Sequence, residues 1–472
     1  MNELRYRIGI SLQELEISLL QVLRKSLATA LESCLNAIDD WIKEERNRDR
    51  YEIKERKATT IETILGEPVT FSRRYYLDKQ TGKYVFLLDE VLGLPKETEV
   101  SPALAELILH QVALTPSYRA AAASLEKAMG KRVVSHETVR QIVKSAGLAM
   151  EEGANKENEE VVQKKRVGLL FLEVDALHVS LQRDKKRTVP EYVCTIHGGW
   201  KPRTPGSKDY KLKKIVQIRA QTSNDLWERV SSYLYSHYEI KKDTVIVING
   251  DRASWIRRGI ELFPNALYQA DRYHVKRDLR RIFGGQSELC SRLEEALDSD
   301  DVTGATFLAE LAESKLKLKD PEKATECQKL LNDLVEIADA TVDYRKRLEA
   351  RRIPVEGLRG LGAGESQMSY FASRVKGKRS WSRDGLAAMM ELLSWRNTGR
   401  LRVVTENIVK FLRNADLSWN TVKELAQQAT RRVLPKNVYV PPIAGVPMAR
   451  AGRTSSGGLS NLFNRLNEGT TF

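Results

Sequence analysis

The sequence predicts an α/β protein whose core is a mixed sheet with helices on both faces, interrupted by a helical insertion and preceded by smaller modules. Three apolar runs, "VGLLFLEVDALHVSLQ", "PEYVCTIHGGW" and "KLKKIVQIRAQ", follow one another with no helical pattern between them. Helical and strand patterns then alternate through "TVIVING" and "ALYQA", and the strand pattern stops near residue 284. Consecutive strands followed by alternating strands and helices are typical of a mixed sheet.

The first 98 residues predict two modules. Residues 1–50 carry apolar side chains at helical spacing and lead into a charged run. This pattern predicts one or two helices that pack on another body or on a second copy of the chain, so the segment is a candidate for dimerisation. Residues 51–98 change to a β pattern with a turn at Asp78 to Gly82, which predicts a small β-hairpin module.

Residues 99–150 predict a helix-turn-helix that binds DNA. An alanine-rich helix is followed by a break at Gly130 and by a second helix for which Ser135 is a suitable N-cap. A helical hairpin within a bundle is the alternative, because short helical pairs with a glycine turn are common. The polar and basic candidates for DNA contact on the second helix are His136, Thr138, Arg140, Gln141 and Lys144.

The rest of the chain divides by pattern into four parts. Residues 165–283 form the first part of the predicted core, 284–360 the helical insertion, and 361–433 the last part of the core with C-terminal helices. Residues 434–472 are rich in proline, glycine and serine, so we expect an extended or disordered tail there.

Charge and cysteine content narrow the class of protein. The chain has 77 Lys and Arg against 63 Asp and Glu, a net charge of +14, which favours a polyanion such as nucleic acid as partner. Its four cysteines form no CxxC pair, which argues against a disulfide framework and against a thiolate zinc site. No apolar run is long enough to span a membrane. We therefore expect a cytoplasmic protein that does not contact membranes.

Two aspartates lie at strand positions from which they can meet. Asp175 is in the first apolar strand and Asp251 follows the fourth. Two neighbouring buried carboxylates repel each other, and a divalent metal such as magnesium removes that conflict and suits phosphoryl transfer on nucleic acid. Two alternatives stay open: Asp251 can cap the next helix, and Glu173 shares the strand face of Asp175.

A third carboxylate, Glu365, follows a glycine-rich loop at the start of a predicted helix. A carboxylate at a helix start beside a run of cations suits a metal next to a DNA backbone. Stabilisation by the helix dipole alone is the other interpretation. The cations that follow are Arg374, Lys376, Lys378 and Arg379.

Four stretches together resemble the ISLre-type transposases of bacterial insertion sequences, a Mutator-like group. They are "EVDALHVSLQ", "INGDRASWIRRG", "ADRYHVKRDL" and "GESQMSYFASRVKGKRSWSRDG", and the hairpin stretches "GEPVTFSRRYY" and "LLDEVLGL" add to the likeness. The resemblance covers most of residues 50–400. It implies an RNase H-like core, an Asp-Asp-Glu active site and a helical insertion before the final glutamate.

Carried to this chain, the resemblance implies that Asp175, Asp251 and Glu365 are the catalytic, metal-binding triad. Asp271 and His274, from "DRYH", match an element that supports the active site. The implied cofactors are two Mg²⁺ ions, with Mn²⁺ as a substitute. Arg252 and Trp381 join the four cations after Glu365 as candidates for DNA contact.

The implied activity is that of a DDE transposase, which cuts the ends of a DNA element and joins them to target DNA. We expect double-stranded DNA as partner, at the element's terminal inverted repeats and at the target, and a homodimer or larger assembly in the active complex of a nucleoid-associated bacterial protein. A structure-selective nuclease on the same core is one alternative. A catalytically lapsed DNA-binding regulator is another, favoured by Arg252 where related proteins often have glycine.

Overall fold

The structure is a computed structural model of the 472-residue chain, and it describes residues 11–94, 99–159, 163–284 and 287–401. The side chains of residues 155–159, 315, 318 and 319 are not described. Described residues form two compact units, one from 11–111 and 121–136 and the other from 112–120 and 137–401. The predicted tail at 434–472 and residues 402–433 lie outside the described residues.

A single long helix, α1 (Leu12–Glu45), opens the first unit. It begins with a capping box, in which the Ser11 side chain accepts a hydrogen bond from the backbone of Glu14 and the Glu14 side chain accepts one from Ser11. Its apolar contacts with the rest of the unit come from its second half, through Ala28, Leu35 and neighbouring side chains, and Arg24 donates to the carbonyl of Met129 at 2.6 Å. The first half exposes its large apolar side chains to solvent, so the two halves of one helix have different surroundings.

The β module of the first unit is a three-stranded antiparallel sheet followed by a short helix. Gly82, at φ 67°, donates its N–H to the carbonyl of Asp78 at 2.8 Å, and this is the turn expected at that place. Arg74 on the second strand pairs with the buried Asp39 of α1 at 2.6 Å. The elements are β1 (Tyr51–Glu62), β2 (Pro68–Asp78), β3 (Lys83–Val85) and α2 (Leu87–Leu92).

Three helices follow, α3 (Pro102–Leu114), α4 (Tyr118–Met129) and α5 (His136–Glu159). The second helix of the predicted helix-turn-helix begins at His136, directly after the expected cap. It continues for 24 residues, well beyond the length that the pattern indicated. Close packing explains why residue 147, inside this helix, is glycine. A Cβ at Gly147 would lie 2.5 Å from the Cα of Ala388.

The second unit holds the remaining strands and helices. Its strands are β4 (Lys165–Arg166), β5 (Leu169–Ser180), β6 (Thr188–His197), β7 (Trp200–Pro202), β8 (Tyr210–Leu212), β9 (Val216–Ala220), β10 (Tyr238–Glu239), β11 (Val245–Gly250) and β12 (Ala266–Ala270). Its further helices are α6 (Ser223–His237), α7 (Ser254–Arg257), α8 (Arg272–Phe283), α9 (Glu288–Asp298), α10 (Val302–Lys319), α11 (Pro321–Glu336), α12 (Ala338–Thr341), α13 (Tyr344–Ala350), α14 (Ala363–Val375) and α15 (Arg383–Asn397), with a 3₁₀ turn at Arg258–Leu262.

The main sheet has five strands in the order β12-β11-β5-β6-β9. The strands β12, β11 and β5 are parallel, whereas β6 is antiparallel to both β5 and β9. The predicted mixed sheet flanked by helices is thereby confirmed. Two short ladders, β4 with β10 and β7 with β8, lie outside it.

Both faces of the main sheet are covered, which explains the unbroken apolar runs of its strands. On one face, Leu170 and Leu172 of β5 share a core with Leu226 and Val230 of α6. On the other face, Phe171 belongs to a core with Val247, Leu267 and two residues of α13, Tyr344 and Leu348. Alternate residues of β5 therefore serve different cores.

The stretch predicted as a helical insertion, 284–360, contains five helices among its described residues, α9 to α13. The first three of these share a core with α8, in which Leu279, Leu293 and Leu330 are buried. Within the described parts of the chain, no helix is both long enough and apolar enough to cross a membrane.

Candidate metal centre

The three parallel strands place equivalent residues side by side. Because β5, β11 and β12 pair in register, residues at the same step along the strands form rows across the sheet. On the face covered by α13, one row is apolar and the next is polar and buried. The apolar row is Phe171, Val247 and Leu267, and the polar row is Glu173, Asn249 and Gln269.

A third row consists of aspartates. Asp175, Asp251 and Asp271 each lie two residues beyond the polar row, so strand alternation assigns them to the same face. Asp251 and Asp271 directly follow β11 and β12, and Asp175 lies within β5, one residue past its ladder with β11. Neighbouring strands are about 4.8 Å apart. The strands of Asp175 and Asp251 are direct neighbours, which is the condition on which the predicted meeting of their carboxylates depends. Asp271, expected only as a supporting residue, occupies the same row.

Each aspartate is held by one hydrogen bond from the backbone. The Oδ1 atom of Asp175 accepts from its neighbour Ala176 at 2.7 Å, and that of Asp271 accepts from Tyr273 at 2.9 Å as the N-cap of α8. Asp251 accepts from Ala253 at 3.0 Å, but the N-cap of α7 is Ala253 itself. Asp251 is therefore not the helix cap that one interpretation of the sequence proposed.

Glu365 and His274 lie close to Asp271. Among the described residues, Asp271, His274 and Glu365 form a group whose possible ligand atoms all lie within 4.8 Å of one another. The Nδ1 atom of His274 is 3.8 Å from Oδ2 of Asp271, and it is buried without a hydrogen-bond partner in the described chain. The first turn of α14 thus brings its carboxylate to the strand ends.

Glu173 fixes the start of α14 against the sheet. Its Oε2 atom accepts hydrogen bonds from the backbone N–H groups of Gly362 and Gly364, both at 2.9 Å. A Cβ at Gly364 would lie 3.1 Å from the Cβ of Glu173, a tight contact that favours glycine at this position. The glycine-rich loop therefore lets a buried carboxylate set the position of Glu365.

Two further residues orient Glu173. His197 accepts the Gly199 N–H on Nδ1 at 3.2 Å, so its proton is on Nε2, which donates to Glu173 at 3.1 Å. Asn249 donates to the other carboxylate oxygen at 3.3 Å. Burial alone would raise the pKa of Glu173, but the hydrogen bonds from His197, Gly364 and Gly362 outweigh it and lower the pKa below its ordinary value.

The cluster carries uncompensated negative charge. Burial raises the pKa of Asp175, and the charges of Asp251 and Asp271 raise it further, while His274 and the backbone of Ala176 act in the opposite direction. Burial likewise raises the pKa of Asp271. These carboxylates are therefore costly to ionise in the protein alone, and a bound cation would relieve that cost.

The arginines next to these aspartates in sequence are engaged elsewhere. Arg252 pairs with Asp278 of α8 at 2.6 Å and with Asp333 of α11 at 3.2 Å. Arg272 pairs with Asp300 and donates to the carbonyl of Thr341. Neither forms an ion pair with a carboxylate of the cluster in the described structure.

The donor set fits a divalent cation. Carboxylate oxygens suit Mg²⁺ and Mn²⁺, and an imidazole nitrogen adds a donor that transition metals accept more readily than Mg²⁺ does. The unpartnered Nδ1 of His274 next to Asp271 is the feature that such a cation would satisfy. A cavity of about 490 Å³ opens beside the cluster, lined by Asn249, Gln269, Asp271, Tyr344, Glu365 and their neighbours.

The candidates for DNA contact fall into two groups in the structure. On α5, His136 and Gln141 are exposed and Thr138 is half-buried, whereas Arg140 is held by Glu137 and Lys144 lies 3.4 Å from Asp384. After Glu365, Lys376 and Lys378 are exposed, Arg379 is half-buried, and Arg374 and Trp381 are buried. The role of these residues in DNA contact stays a prediction.

Sequence reasoning gave no role to His197, Asn249 or Gln269. Strand alternation could have identified two of them. Residues two apart share a strand face, so Asn249 lies on the face of Asp251 and Gln269 on that of Asp271, as Glu173 does for Asp175. His197 had no such signal, because its contact with Glu173 depends on the pairing of β5 with β6.

Relatives of this chain share one family. A UPF0236 protein of Caldanaerobacter subterraneus subsp. tengcongensis is 26% identical over 442 residues, which cover 90% of this chain and 86% of that protein, and its name joins eleven locus designations. Another from the same organism is 27% identical over 430 residues, covering 90% and 87%. A UPF0236 protein from the vanSb 3′ region of Streptococcus gallolyticus is 25% identical over 452 residues, covering 94% of each. The family model described as "Uncharacterised protein family (UPF0236)" matches residues 5–409, so the chain belongs to that family.

Proposed function

We propose that this protein is a DDE transposase that cuts the ends of a DNA element and joins them to target DNA by metal-dependent phosphoryl transfer. The observation that carries the proposal is the group formed by Asp271, His274 and Glu365, next to the adjacent strands that lead to Asp175 and Asp251. The net charge of +14 supports a polyanionic substrate.

An RNase H-like core is part of the proposal. The first three strands of the main sheet in chain order, β5, β6 and β9, are antiparallel neighbours, and β11 and β12 are added in parallel on the other side of β5. This order and the helical stretch before Glu365 support the core type and the ISLre-type likeness.

The residues that would hold metal are Asp175, Asp251 and Glu365, with Asp271 and His274 as further ligands. When bound, two Mg²⁺ or Mn²⁺ ions would lower the pKa of coordinated water and neutralise charge on the reacting phosphate. Asp175 and Asp271 each keep one oxygen bonded to the backbone, which fixes the direction of the carboxylate. Glu173 holds the start of α14, so that Glu365 is positioned before substrate arrives.

The names of the relatives support a mobile element. One name joins eleven loci of a single genome. Many copies of one gene in a genome are what repeated transposition produces.

Self-association through α1 completes the proposed active complex. Leu12, Leu15, Leu19 and Val22 are exposed and follow a three-four-three spacing typical of a coiled-coil seam.

The second half of α1 packs on the β module, so deleting the whole helix would disturb that module. Polar substitutions at Leu15 and Leu19 are therefore a cleaner test than deletion. Light scattering should show an assembly for the wild type and a monomer for the double variant; equal masses would remove α1 as the interface.

The presence of Arg252 gives little support to the alternative that the protein is a catalytically inactive DNA-binding regulator. Its guanidinium binds Asp278 and Asp333, so it does not neutralise the acidic cluster. The departure from glycine at this position is compatible with a metal site.

A strand-transfer assay tests the proposal. Full-length protein, Mg²⁺ and DNA carrying the flanks of its own reading frame should give cleaved ends and joined products. Glu365→Gln should give neither, while Glu356→Gln, an exposed glutamate in the preceding loop, should act like the wild type. Cutting without joining would indicate a nuclease, and binding alone would indicate a regulator.

A further inference from the structure

Arg374, in the last turn of α14, is a buried cation that pairs with no carboxylate of the described residues. Only 4% of the residue is exposed, and its Nε atom donates to the carbonyl of Val112 at 3.0 Å. Its Nη2 atom is buried and has no hydrogen-bond partner among the described residues. Burial, reinforced by the charge of Arg379, lowers the pKa of Arg374 to about 10, although Tyr118 acts against this shift. A buried charge in this condition is costly unless a ligand compensates it.

This side chain lines a cavity of about 280 Å³ in the second unit. The guanidinium lies 5.3 Å from the ring centre of Trp381 and 5.7 Å from that of Tyr118. The hydroxyl of Tyr118 is also buried without a partner in the described structure. Two unpartnered donors therefore lie at one cavity. Its other lining residues include Arg140, Gln182, Arg379 and Ser382.

The cavity has an excess of positive charge. Arg379 donates to the carbonyls of Ser373 and Lys376 at 3.0 and 2.5 Å and forms no ion pair with a described carboxylate. Arg140 is neutralised by Glu137. Guanidinium and hydroxyl donors without a carboxylate are the groups that bind a phosphate.

The cavity is fixed relative to the metal centre through α14 and β5. Arg374 follows Glu365 by nine residues on one helix, which corresponds to about 14 Å at 1.5 Å per residue. The loop after α14 is attached to β5, since Trp381 donates to the carbonyl of Ser180 at 3.0 Å and accepts from Gln182 at 2.9 Å. β5 also carries Asp175.

We propose that this cavity binds one backbone phosphate of the DNA whose scissile phosphate lies at the metal centre. A distance of about 14 Å is roughly four base pairs along a duplex at 3.4 Å per step. The identity of the anion as DNA rests on the proposed function, whereas the capacity to bind a phosphate rests on the cavity alone.

The salt dependence of DNA affinity tests the contact. Arg374→Gln and Arg379→Gln should each reduce the slope of log affinity against log salt by about 0.9, the value for one phosphate. The matched control is Arg383→Gln, because this nearby arginine is already paired with Asp184 at 2.6 Å. Its slope should equal that of the wild type.

Two further variants and a mapping experiment keep the test decisive if Arg374→Gln folds poorly. Arg379 is on a surface loop, and Tyr118→Phe removes only the unpartnered hydroxyl, so both should fold and both should weaken DNA binding. Ethylation of single phosphates should block wild-type binding about three to five nucleotides from the cut. Arg379→Gln should lose sensitivity at that position alone.

The outcomes separate this inference from the proposed function. Cleavage by the wild type with equal slopes in all arginine variants overturns the phosphate contact and leaves the transposase proposal intact. Reduced slopes in Arg374→Gln and Arg379→Gln without any cleavage support the contact and count against catalysis. If the wild type binds no DNA, the inference is overturned as stated; stabilisation by inorganic phosphate that Arg379→Gln lacks would then show an anion site of another kind.

Discussion

The two ends of α14 concentrate charge of opposite sign, and neither Glu365 nor Arg374 forms an ion pair among the described residues. At the first turn, Glu365 lies close to Asp271 and His274. At the last turn, Arg374 is buried and no described carboxylate pairs with it. Arg74, by contrast, is paired with the buried Asp39. The difference separates ion pairs that stabilise the fold from charges left open for a metal and a phosphate.

The largest expected effect is at the acidic end. Asp175→Asn, Asp271→Asn or Glu365→Gln should slow metal-dependent cleavage by roughly a thousandfold, because loss of a metal ligand raises the barrier by about 4 kcal/mol. DNA affinity should stay near the wild-type value. Single-turnover cleavage and a binding titration on the same preparations provide the measurement. A variant that keeps half of the wild-type rate would exclude its residue from the site.

Arg252 should behave as a paired charge. Arg252→Ala removes the nearest partner of Asp278 and leaves Arg277 and Arg281 at 3.8 and 3.7 Å, so the free energy of unfolding should fall by about 1 to 3 kcal/mol. The salt slope of DNA affinity should not change. Urea denaturation and the binding titration check both statements. A reduced slope with unchanged stability would instead return Arg252 to the DNA contacts predicted from sequence.

Glu191 of β6 provides an intermediate case, a buried carboxyl whose pairing is poor. Its pKa is raised to about 7, mainly by burial and also by the nearby Glu391, while Arg219 at 3.7 Å acts in the opposite direction. The folded protein therefore holds this proton more tightly than the unfolded chain, so stability should fall as pH rises from about 4.5 to 7. Glu191→Gln should remove that fall and be more stable at pH 8 by roughly 3 kcal/mol. Urea denaturation across this pH range is the measurement, and parallel profiles for the two proteins would contradict it.

The smallest effect is expected at Glu173, which acts through α14. Glu173→Gln keeps the shape of the side chain but loses its charge, so Mn²⁺ affinity and cleavage should each fall by about 10- to 100-fold. Glu191→Gln is the matched control, since it also removes a buried carboxylate from the main sheet without touching α14. Unchanged Mn²⁺ affinity in Glu173→Gln would show that the residue is merely part of the core.

Local patterns predicted the elements but not their register. The strands, the turn at Gly82 and the helical stretch before Glu365 follow from periodicity and turn chemistry, which are encoded locally. That Asp271 shares a row with Asp175 depends on two strand pairings between distant segments. The contact between Glu173 and Gly364 joins residues 191 positions apart. No local signal encodes such a contact.

Tertiary packing also changed two expectations about helices and charge. The second helix of the predicted helix-turn-helix extends to Glu159, and Gly147 within it packs on Ala388. The cations after Glu365 were predicted as one group of candidates for DNA contact. Instead Arg374 is buried, because its position on α14 faces Val112. The charges can be read from the sequence, but only packing distinguishes a buried cation such as Arg374 from an exposed one such as Lys376.

Binding of Mn²⁺ to the full-length protein tests the central claim most directly, because it requires no knowledge of the DNA sequence. Electron paramagnetic resonance should detect saturable binding to the wild type, weakened at least about tenfold by Asp271→Asn or Glu365→Gln. Arg374→Gln, at the other end of α14, should bind Mn²⁺ like the wild type. Equal Mn²⁺ affinity in the wild type and both carboxylate variants would contradict the account.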